Sequence, residues 1–181
     1  MSRQRISKGK TIRPTFFVFC EGESEEAYVK YLKSKYRLPI EVDPKVAGLN
    51  VNSRYISNYK KGKSTHPKDK DFLIYDLDRD DILPRLQKIR NANILISVPC
   101  FELWYLLHCE NQQASLNSAD CLNKLSKHIK GYKKGALCEK VQSKINDKWK
   151  DAQKRAAKLP YLLNPSTNVY VFVEELEKVG K

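Results

Sequence analysis

The sequence predicts an α/β protein with a mostly parallel central sheet flanked by helices, followed by a C-terminal basic helical extension. Short apolar runs alternate with helical patterns between Thr15 and Glu110, which is typical of strands joined by crossover helices. Beyond this stretch the pattern becomes helical and rich in lysine. We therefore expect one compact domain made of a basic flexible arm (1–14), an α/β core (15–112) and a helical extension (113–181).

Each predicted strand of the core is followed by a predicted helix. The strands are runs of β-branched, aromatic and aliphatic residues at 15–20, 40–46, 71–76 and 93–98. Ser24 is a plausible N-cap of the first helix, and Asp80 or Asp81 is expected to cap the helix near Ile82. Pro99 is expected to open the fourth helix at its favoured first position.

The extension is predicted to contain helices over 118–129 and 135–158, with NPST (164–167) capping a last helix. Between Lys124 and Lys158 twelve basic residues face three acidic ones, which gives this region a net charge of +9. Such a region is most simply a solvated surface, but it is also the best groove that the chain offers to a nucleic-acid backbone.

Charge and composition restrict the class of protein. Lysine and arginine outnumber aspartate and glutamate by 34 to 21, a formal net charge of +13, which favours a polyanionic partner such as DNA or RNA. The five cysteines include no CxxC pair and suit a reducing compartment. Because no segment has the apolar length of a signal core or a membrane helix, we expect a cytoplasmic protein without membrane contact.

Acidic residues follow three of the predicted strands. Glu21 follows the first, Asp76 and Asp78 the strand at 71–76, and Glu102 lies in the turn of helix after the strand at 93–98. The carboxyl ends of parallel strands form binding sites. Oxygen ligands without histidine or thiolate favour Mg²⁺ or Mn²⁺, and Glu21 could reach the same ion or exchange a proton. Alternatively, such acids cap helices.

Five blocks of the sequence, in order, resemble the RloB-like family. They are FFVFCEGESEEAY (16–28), FLIYDLDRDD (72–81), SVPCFELWYLLHCE (97–110), GYKKG (131–135) and NPSTNVY (164–170). The strand that ends in Glu-Gly and the later strand that ends in Asp-x-Asp are similar to the TOPRIM domain of topoisomerases, bacterial primases and overcoming-lysogenization-defect nucleases.

The resemblance implies a TOPRIM-like core and a Mg²⁺-dependent nuclease for phage defence, often beside an ATPase partner. It makes Glu21 the general acid/base, and Asp76 and Asp78 ligands of Mg²⁺, for which Mn²⁺ can substitute. The family commonly has Asn-Pro before the Phe-Glu-Leu-Trp block, whereas this chain has Val98–Pro99, which removes a polar group near Glu102.

Two other functions fit the sequence. The same fold could serve as a non-catalytic nucleic-acid-binding or effector module that works through a partner, and no GxxxxGK[ST] sequence supplies ATP hydrolysis in this chain. DLDRD could also be the nucleophile loop of a haloacid-dehalogenase-like phosphatase, but Asp80 stands where that loop usually carries threonine or valine.

Several further side chains are candidates for nucleic-acid binding. Lys133 and Lys134 lie between two glycines in a loop that could clamp a phosphate. His108 shares a helix face with Trp104, which fits either a packed histidine or a phosphate contact. The remaining candidates form a basic loop before the strand at 71–76, and they are Lys60, Lys61 and Lys63.

Overall fold

The computed structural model describes residues 12–135, 137–146 and 148–180, so the predicted basic arm lies largely outside the described residues. Within these ranges the chain forms five strands and eight α-helices. The strands are β1 (Thr15–Cys20), β2 (Glu41–Val46), β3 (Lys70–Asp76), β4 (Ala92–Val98) and β5 (Ser166–Thr167). The helices are α1 (Glu23–Tyr36), α2 (Ser53–Lys60), α3 (Ile82–Gln87), α4 (Glu102–Cys109), α5 (Ser118–His128), α6 (Glu139–Ile145), α7 (Trp149–Ala156) and α8 (Tyr170–Val179).

The strands form a five-stranded sheet in the order β2-β1-β3-β4-β5. The first four are parallel to one another, and β5 is antiparallel to β4. The prediction of a mostly parallel sheet flanked by helices is therefore confirmed. The chain runs from β1 outward to β2 and then crosses to β3, so the strand order reverses between β1 and β3. Open α/β sheets form clefts at such a reversal, beyond the carboxyl ends of the strands.

Both faces of the sheet are covered by helices. Phe16 and Val18 of β1 contribute to one core together with Phe72 of β3, whereas Phe17 and Leu73 contribute to the other. The first core also contains buried residues of α1 and of α4 to α8, and the second contains those of α2 and α3. Burial on both faces explains why the strands are continuously apolar rather than alternating.

Helix α4 lies inside the first core. Every residue from Glu102 to His108 is buried, because a helix that is apolar all round can only be accommodated in the interior. Its burial fixes the start of α4, and with it Glu102, against the end of the sheet. None of the helices within the described ranges is long and apolar enough to span a membrane.

The region predicted to be helical over 135–158 forms two helices, α6 and α7, and not a single one. A straight helix of that length would extend about 36 Å, across the whole domain. The two shorter helices instead both turn their apolar residues into the first core: Val141 and Ile145 from α6, and Ala152 and Ala156 from α7.

The predicted capping role of NPST (164–167) is wrong except for Thr167, whose Oγ1 accepts from the N–H of Val169 at 3.4 Å directly before α8. Ser166 and Thr167 form β5 against β4, and α8 begins at Tyr170 without a side-chain cap. The amide of Asn164 bonds both backbone groups of Leu116, accepting from its N–H at 3.2 Å and donating to its carbonyl at 2.8 Å. Ser166 and Thr167 thus complete the sheet, and Asn164 holds the loop that contains Leu116. Both roles supply partners to backbone groups that would otherwise lack them.

Two predicted helix starts differ from those observed. Asp81 is at the N-cap position of α3, but its carboxylate pairs with Arg79 and Arg85 instead of capping the backbone. Two nearby guanidinium groups offer it stronger, charge-assisted bonds. Pro99 lies outside α4, which begins at Glu102, because residues 99–101 turn the chain from β4 into the helix.

Candidate functional site

A cleft opens at the carboxyl ends of β1 and β3, where the strand order reverses. Its volume is about 280 Å³. The polar side chains that line it are Glu21, Glu23, Ser24, Glu25, Asp76, Glu102 and Lys134. They come from the ends of β1 and β3, from the starts of α1 and α4, and from the loop between α5 and α6. The structure therefore brings together three of the four acids that the sequence singled out.

Asp76 lies at the inner end of this cleft as the last residue of β3. Its Oδ1 atom is buried and has no hydrogen-bond partner among the described residues. Burial raises the pKa of Asp76 to about 10, and the nearby carboxylate of Glu25 adds to this effect. A carboxyl group with this pKa holds a proton at neutral pH unless a cation compensates its charge.

Glu21 is held beside Asp76 by the backbone. Its Oε2 atom accepts a hydrogen bond from the N–H of Asp76 at 2.9 Å, and its own N–H donates to the carbonyl of Ile74 at 3.0 Å. Burial raises the pKa of Glu21, the bond from Asp76 opposes this, and the charge of Asp78 raises it further. The two acids thus form a fixed pair across the reversal point of the sheet.

Glu25 is an acid whose role the sequence left open. The structure makes Gly22, not Ser24, the N-cap of α1, because Glu25 Oε2 accepts a hydrogen bond from the Gly22 N–H at 3.0 Å. Burial raises the pKa of Glu25 to about 7, with smaller contributions from Glu102 and Glu21. The spacing of three residues between Gly22 and Glu25 is the sequence signal for this role.

Glu102 connects the start of α4 to the loop that follows α5. Its side chain is 1% exposed. Its Oε1 atom accepts from Ser24 Oγ at 3.2 Å and from the Tyr132 hydroxyl at 3.0 Å. Lys134 Nζ lies 3.5 Å from Oε2. Glu102 therefore anchors the loop and holds one lysine at the mouth of the cleft.

The loop GYKKG (131–135) depends on its last glycine. Gly135 has φ 76°, and its N–H donates to Ser24 Oγ at 3.0 Å. A Cβ atom at this position would lie 2.8 Å from Oε2 and 3.2 Å from Cβ of Glu23, so any other residue would adopt a strained φ and would displace Glu23. Of the two lysines in the loop, Lys134 lines the cleft, whereas Lys133 is exposed and is not among the residues that line it.

Asp78 does not line the cleft with Asp76. The chain bends after Leu77, so the alternation of an extended strand ends there and the Asp78 side chain is exposed. In the described ranges no group of three or more histidine, cysteine, aspartate or glutamate side chains is arranged to hold a metal ion. The donor chemistry nevertheless fits a hard cation, since the cleft offers carboxylates and Asp76 Oδ1 is buried without a partner.

His108 cannot contact nucleic acid, which corrects its inclusion among the candidate binding residues. It is buried in α4, and its Nδ1 lies 2.8 Å from the carbonyl oxygen of Trp104. Its ring packs edge-on against the Trp104 ring, with centroids 4.6 Å apart. Of the two roles that the sequence allowed, the structure shows the packed and hydrogen-bonded histidine.

The lysines of the 60–63 segment lie at the other end of the sheet. Lys60 Nζ is 2.8 Å from Asp71 Oδ1 near the start of β3, and Lys63 Nζ is 2.7 Å from Asp43 Oδ2. Asp71 is five residues from Asp76, which is about 16 Å along a strand. The structure therefore does not bring Lys60, Lys61 and Lys63 to the cleft.

Comparison with known proteins gives a structural neighbour and a family match. The C-terminal region of the Burkholderia pseudomallei OLD protein aligns with 94% of this chain and 98% of its own length, at 17% identity and a TM-score of 0.40. Similarity of that order carries no conclusion about activity. No curated protein matches the sequence significantly. The model of the RloB-like proteins matches residues 16–176, which is most of the chain. The chain belongs to the RloB-like family.

Proposed function

We propose that this protein is a metal-dependent nuclease of the TOPRIM type that hydrolyses phosphodiester bonds in nucleic acid. The carrying observation is the buried Asp76 carboxyl group, whose Oδ1 has no partner among the described residues, at the reversal point of a parallel sheet. Burying a carboxyl oxygen without a hydrogen bond lowers the stability of the folded protein. Such unfavourable groups are typical of functional sites. The net charge of +13 supports a polyanionic substrate.

Asp76 and Glu21 are the residues that would hold Mg²⁺ or Mn²⁺, with Asp78 at the rim binding directly or through water. The ion would offset the charge that develops on the phosphate during displacement. Desolvation favours the proton-bound form of both acids in the free protein, so loading the site with a cation would release protons.

The remaining residues of the cleft have roles that follow from their contacts. Glu21, whose pKa is raised by burial, suits a group that takes a proton from the attacking water and passes it on. Lys134 points its ammonium group at the mouth of the cleft, where it can bind a phosphate oxygen. Glu102 acts through Lys134 and is a positioning residue. Lys133, exposed on the same loop, would contact a neighbouring phosphate.

The test is a cleavage assay with Mg²⁺ or Mn²⁺ on single- and double-stranded DNA, total RNA and tRNA. We expect Glu21→Gln and Asp76→Asn to lose cleavage at least a hundredfold. Asp80→Asn is the matched control, because this acid follows the same strand but is exposed outside the cleft. Cleavage that survives in both cleft variants would refute the assignment. A small phosphomonoester in the same panel tests the phosphatase alternative, which predicts its hydrolysis.

A non-catalytic binding or effector module is the second candidate. The observation that favours it is the ion pair of Lys134 with Glu102, which already neutralises one cleft carboxylate without a metal ion. This candidate predicts binding that weakens steeply with salt and leaves the nucleic acid intact.

The RloB-like family context leads us to propose a role in phage defence with an ATPase partner. The test is co-purification of this chain with an ATPase encoded beside it, followed by cleavage with and without ATP. Cleavage that the ATPase and ATP do not change would remove the partner from the proposal.

A further inference from the structure

The loop between α7 and β5 exposes three large apolar side chains in succession. Tyr161 and Leu163 are each 61% exposed, and Leu162 is 37% exposed. The loop is ordered as a turn, in which the Leu163 N–H donates to the carbonyl of Pro160 at 3.1 Å. We call residues 160–163 the apolar loop. A contiguous apolar surface of this kind indicates a binding site.

The backbone of the apolar loop is held in a sparsely populated conformation. Leu162 has φ 68°, a left-handed value that side chains other than glycine rarely adopt. The loop is fixed at its end by Asn164, whose amide bonds both backbone groups of Leu116 and whose carbonyl accepts from Ser115 Oγ at 2.8 Å. The exposed loop thus holds one strained residue, Leu162, between two exposed neighbours, and packing alone does not require this arrangement.

The sheet places this loop at the same edge as the acidic cleft. Asp76 of β3 is in register with Ser97 of β4, and Ser97 is in register with Thr167 of β5. Thr167 therefore lies about 10 Å from Asp76, two strand spacings away. Because β5 is antiparallel, the residues before it continue past the carboxyl end of β4. The chain that leads from the apolar loop into β5 therefore enters the sheet at the edge where the cleft opens.

Charge around the loop selects the kind of partner. From Ala152 to Val173 the sequence contains three basic residues and no acidic one. The basic residues are Lys154, Arg155 and Lys158, and the last of them is exposed three residues before Tyr161. The segment at 111–117, to which Asn164 is bonded, carries no charge but several amide side chains. Arg155 donates to the carbonyl of Leu107 at 2.6 Å, so Lys154 and Lys158 are the exposed cations of this segment. An aromatic and aliphatic surface with exposed lysines close by in the chain complements the stacked bases and the phosphates of a nucleic acid.

We infer that the apolar loop is a platform on which unpaired bases of a nucleic-acid strand stack while its backbone enters the cleft. This inference rests on the proposed nuclease function and specifies its substrate as single-stranded DNA or RNA, or an unpaired segment within a duplex. Bases inside a duplex are already stacked on one another and cannot cover the Tyr161 ring. The loop therefore discriminates between single strands and duplexes.

The test measures binding separately from cleavage. Fluorescence anisotropy with labelled oligo(dT), oligo(rU) and a duplex of equal length is recorded in EDTA, in the Asp76→Asn background. Adding Tyr161→Ala should weaken single-strand binding roughly tenfold to a hundredfold and leave duplex binding unchanged. Tyr161→Phe keeps the ring and should retain the affinity. A 5-iodouracil oligonucleotide should crosslink by ultraviolet light to a peptide that contains residues 160–163.

Three results would overturn the platform. Unchanged single-strand affinity in Tyr161→Ala is the first, and equal loss for single strands and duplex is the second. The third is a wild-type dimer that Leu163→Ser dissociates, because the loop would then join two copies of the chain. Cleavage decides the proposed function independently: a wild type that binds through Tyr161 without cutting refutes the nuclease but keeps the platform.

Discussion

The buried histidine of α4 offers a quantitative test of the core around the site. His108 Nδ1 donates to the Trp104 carbonyl, which leaves Nε2 buried without a partner in the described part of the chain. Burial lowers the pKa of His108 to about 4, and the positive charges of Arg155 and Lys35 lower it further against the opposing bond to Trp104. The perturbation is His108→Asn, which keeps a donor near that carbonyl and removes the titrating ring.

The sign and size of the effect follow from the two pKa values of His108. With a pKa lowered from 6.5 to about 4, the unfolded chain binds the proton first as the pH falls. Above pH 6.5, His108 is neutral in both states and leaves the free energy of unfolding unchanged. As the pH falls from 6.5 to 4, the free energy of unfolding decreases progressively. The full difference is about 3 kcal/mol, of which about 2 kcal/mol is lost between pH 7.5 and pH 5.

The assay is urea unfolding of the wild type and the variant at pH 7.5 and pH 5. The other titrating groups are common to both proteins, so the difference between their pH dependences isolates His108. We expect the wild type to lose about 2 kcal/mol more than His108→Asn over this interval. Leu106→Ala is the control, because it is buried in the same helix without a titrating group and should keep the wild-type pH dependence. A difference under about 0.5 kcal/mol would refute the reasoning.

Three further predictions concern the loops that complete the site. Gly135→Ala should destabilise the protein in thermal unfolding more than Gly131→Ala, since both have positive φ but only Gly135 faces a side chain within 3 Å; equal losses would contradict this. Asn164→Ala should cost about 2 kcal/mol in urea unfolding, because two backbone groups lose their partners; a cost under about 0.5 kcal/mol would show that water replaces the amide. Lys134→Ala should reduce cleavage, and it should also lower stability at neutral pH because the buried Glu102 carboxylate loses its cation. Full cleavage activity in this variant would exclude Lys134 from the site.

The sequence was sufficient for the parts of the site that depend on strand ends. β1 and β3 are apolar because they are covered on both faces, and each run ends where the chain leaves the sheet. Parallel strands bring their carboxyl ends to one edge, so Glu21 and Asp76 had to lie near each other. Asp78 was placed with them only by assuming that the chain stays extended, and the bend after Leu77 is a local turn that strand periodicity does not report.

The sequence was insufficient where a residue's role depends on a distant partner. His108 and Ser166 are polar residues that could face solvent, yet His108 is buried by packing and Ser166 is paired in β5. The family resemblance identified these blocks as a set without indicating which of their side chains face solvent. Burial is a property of the assembled layers, so a binding role for His108 could be excluded only by the structure.

The sequence by itself determined the layered α/β architecture, the basic surface and the edge at which the acids gather. These features follow from local apolar patterning and from the geometry that all parallel sheets share. Only the tertiary structure decided that Glu102 holds Lys134, that the cleft closes under the loop with Gly135, and that Tyr161 remains exposed. Those contacts join segments far apart in the chain, and their formation depends on how helices pack rather than on any neighbouring residue.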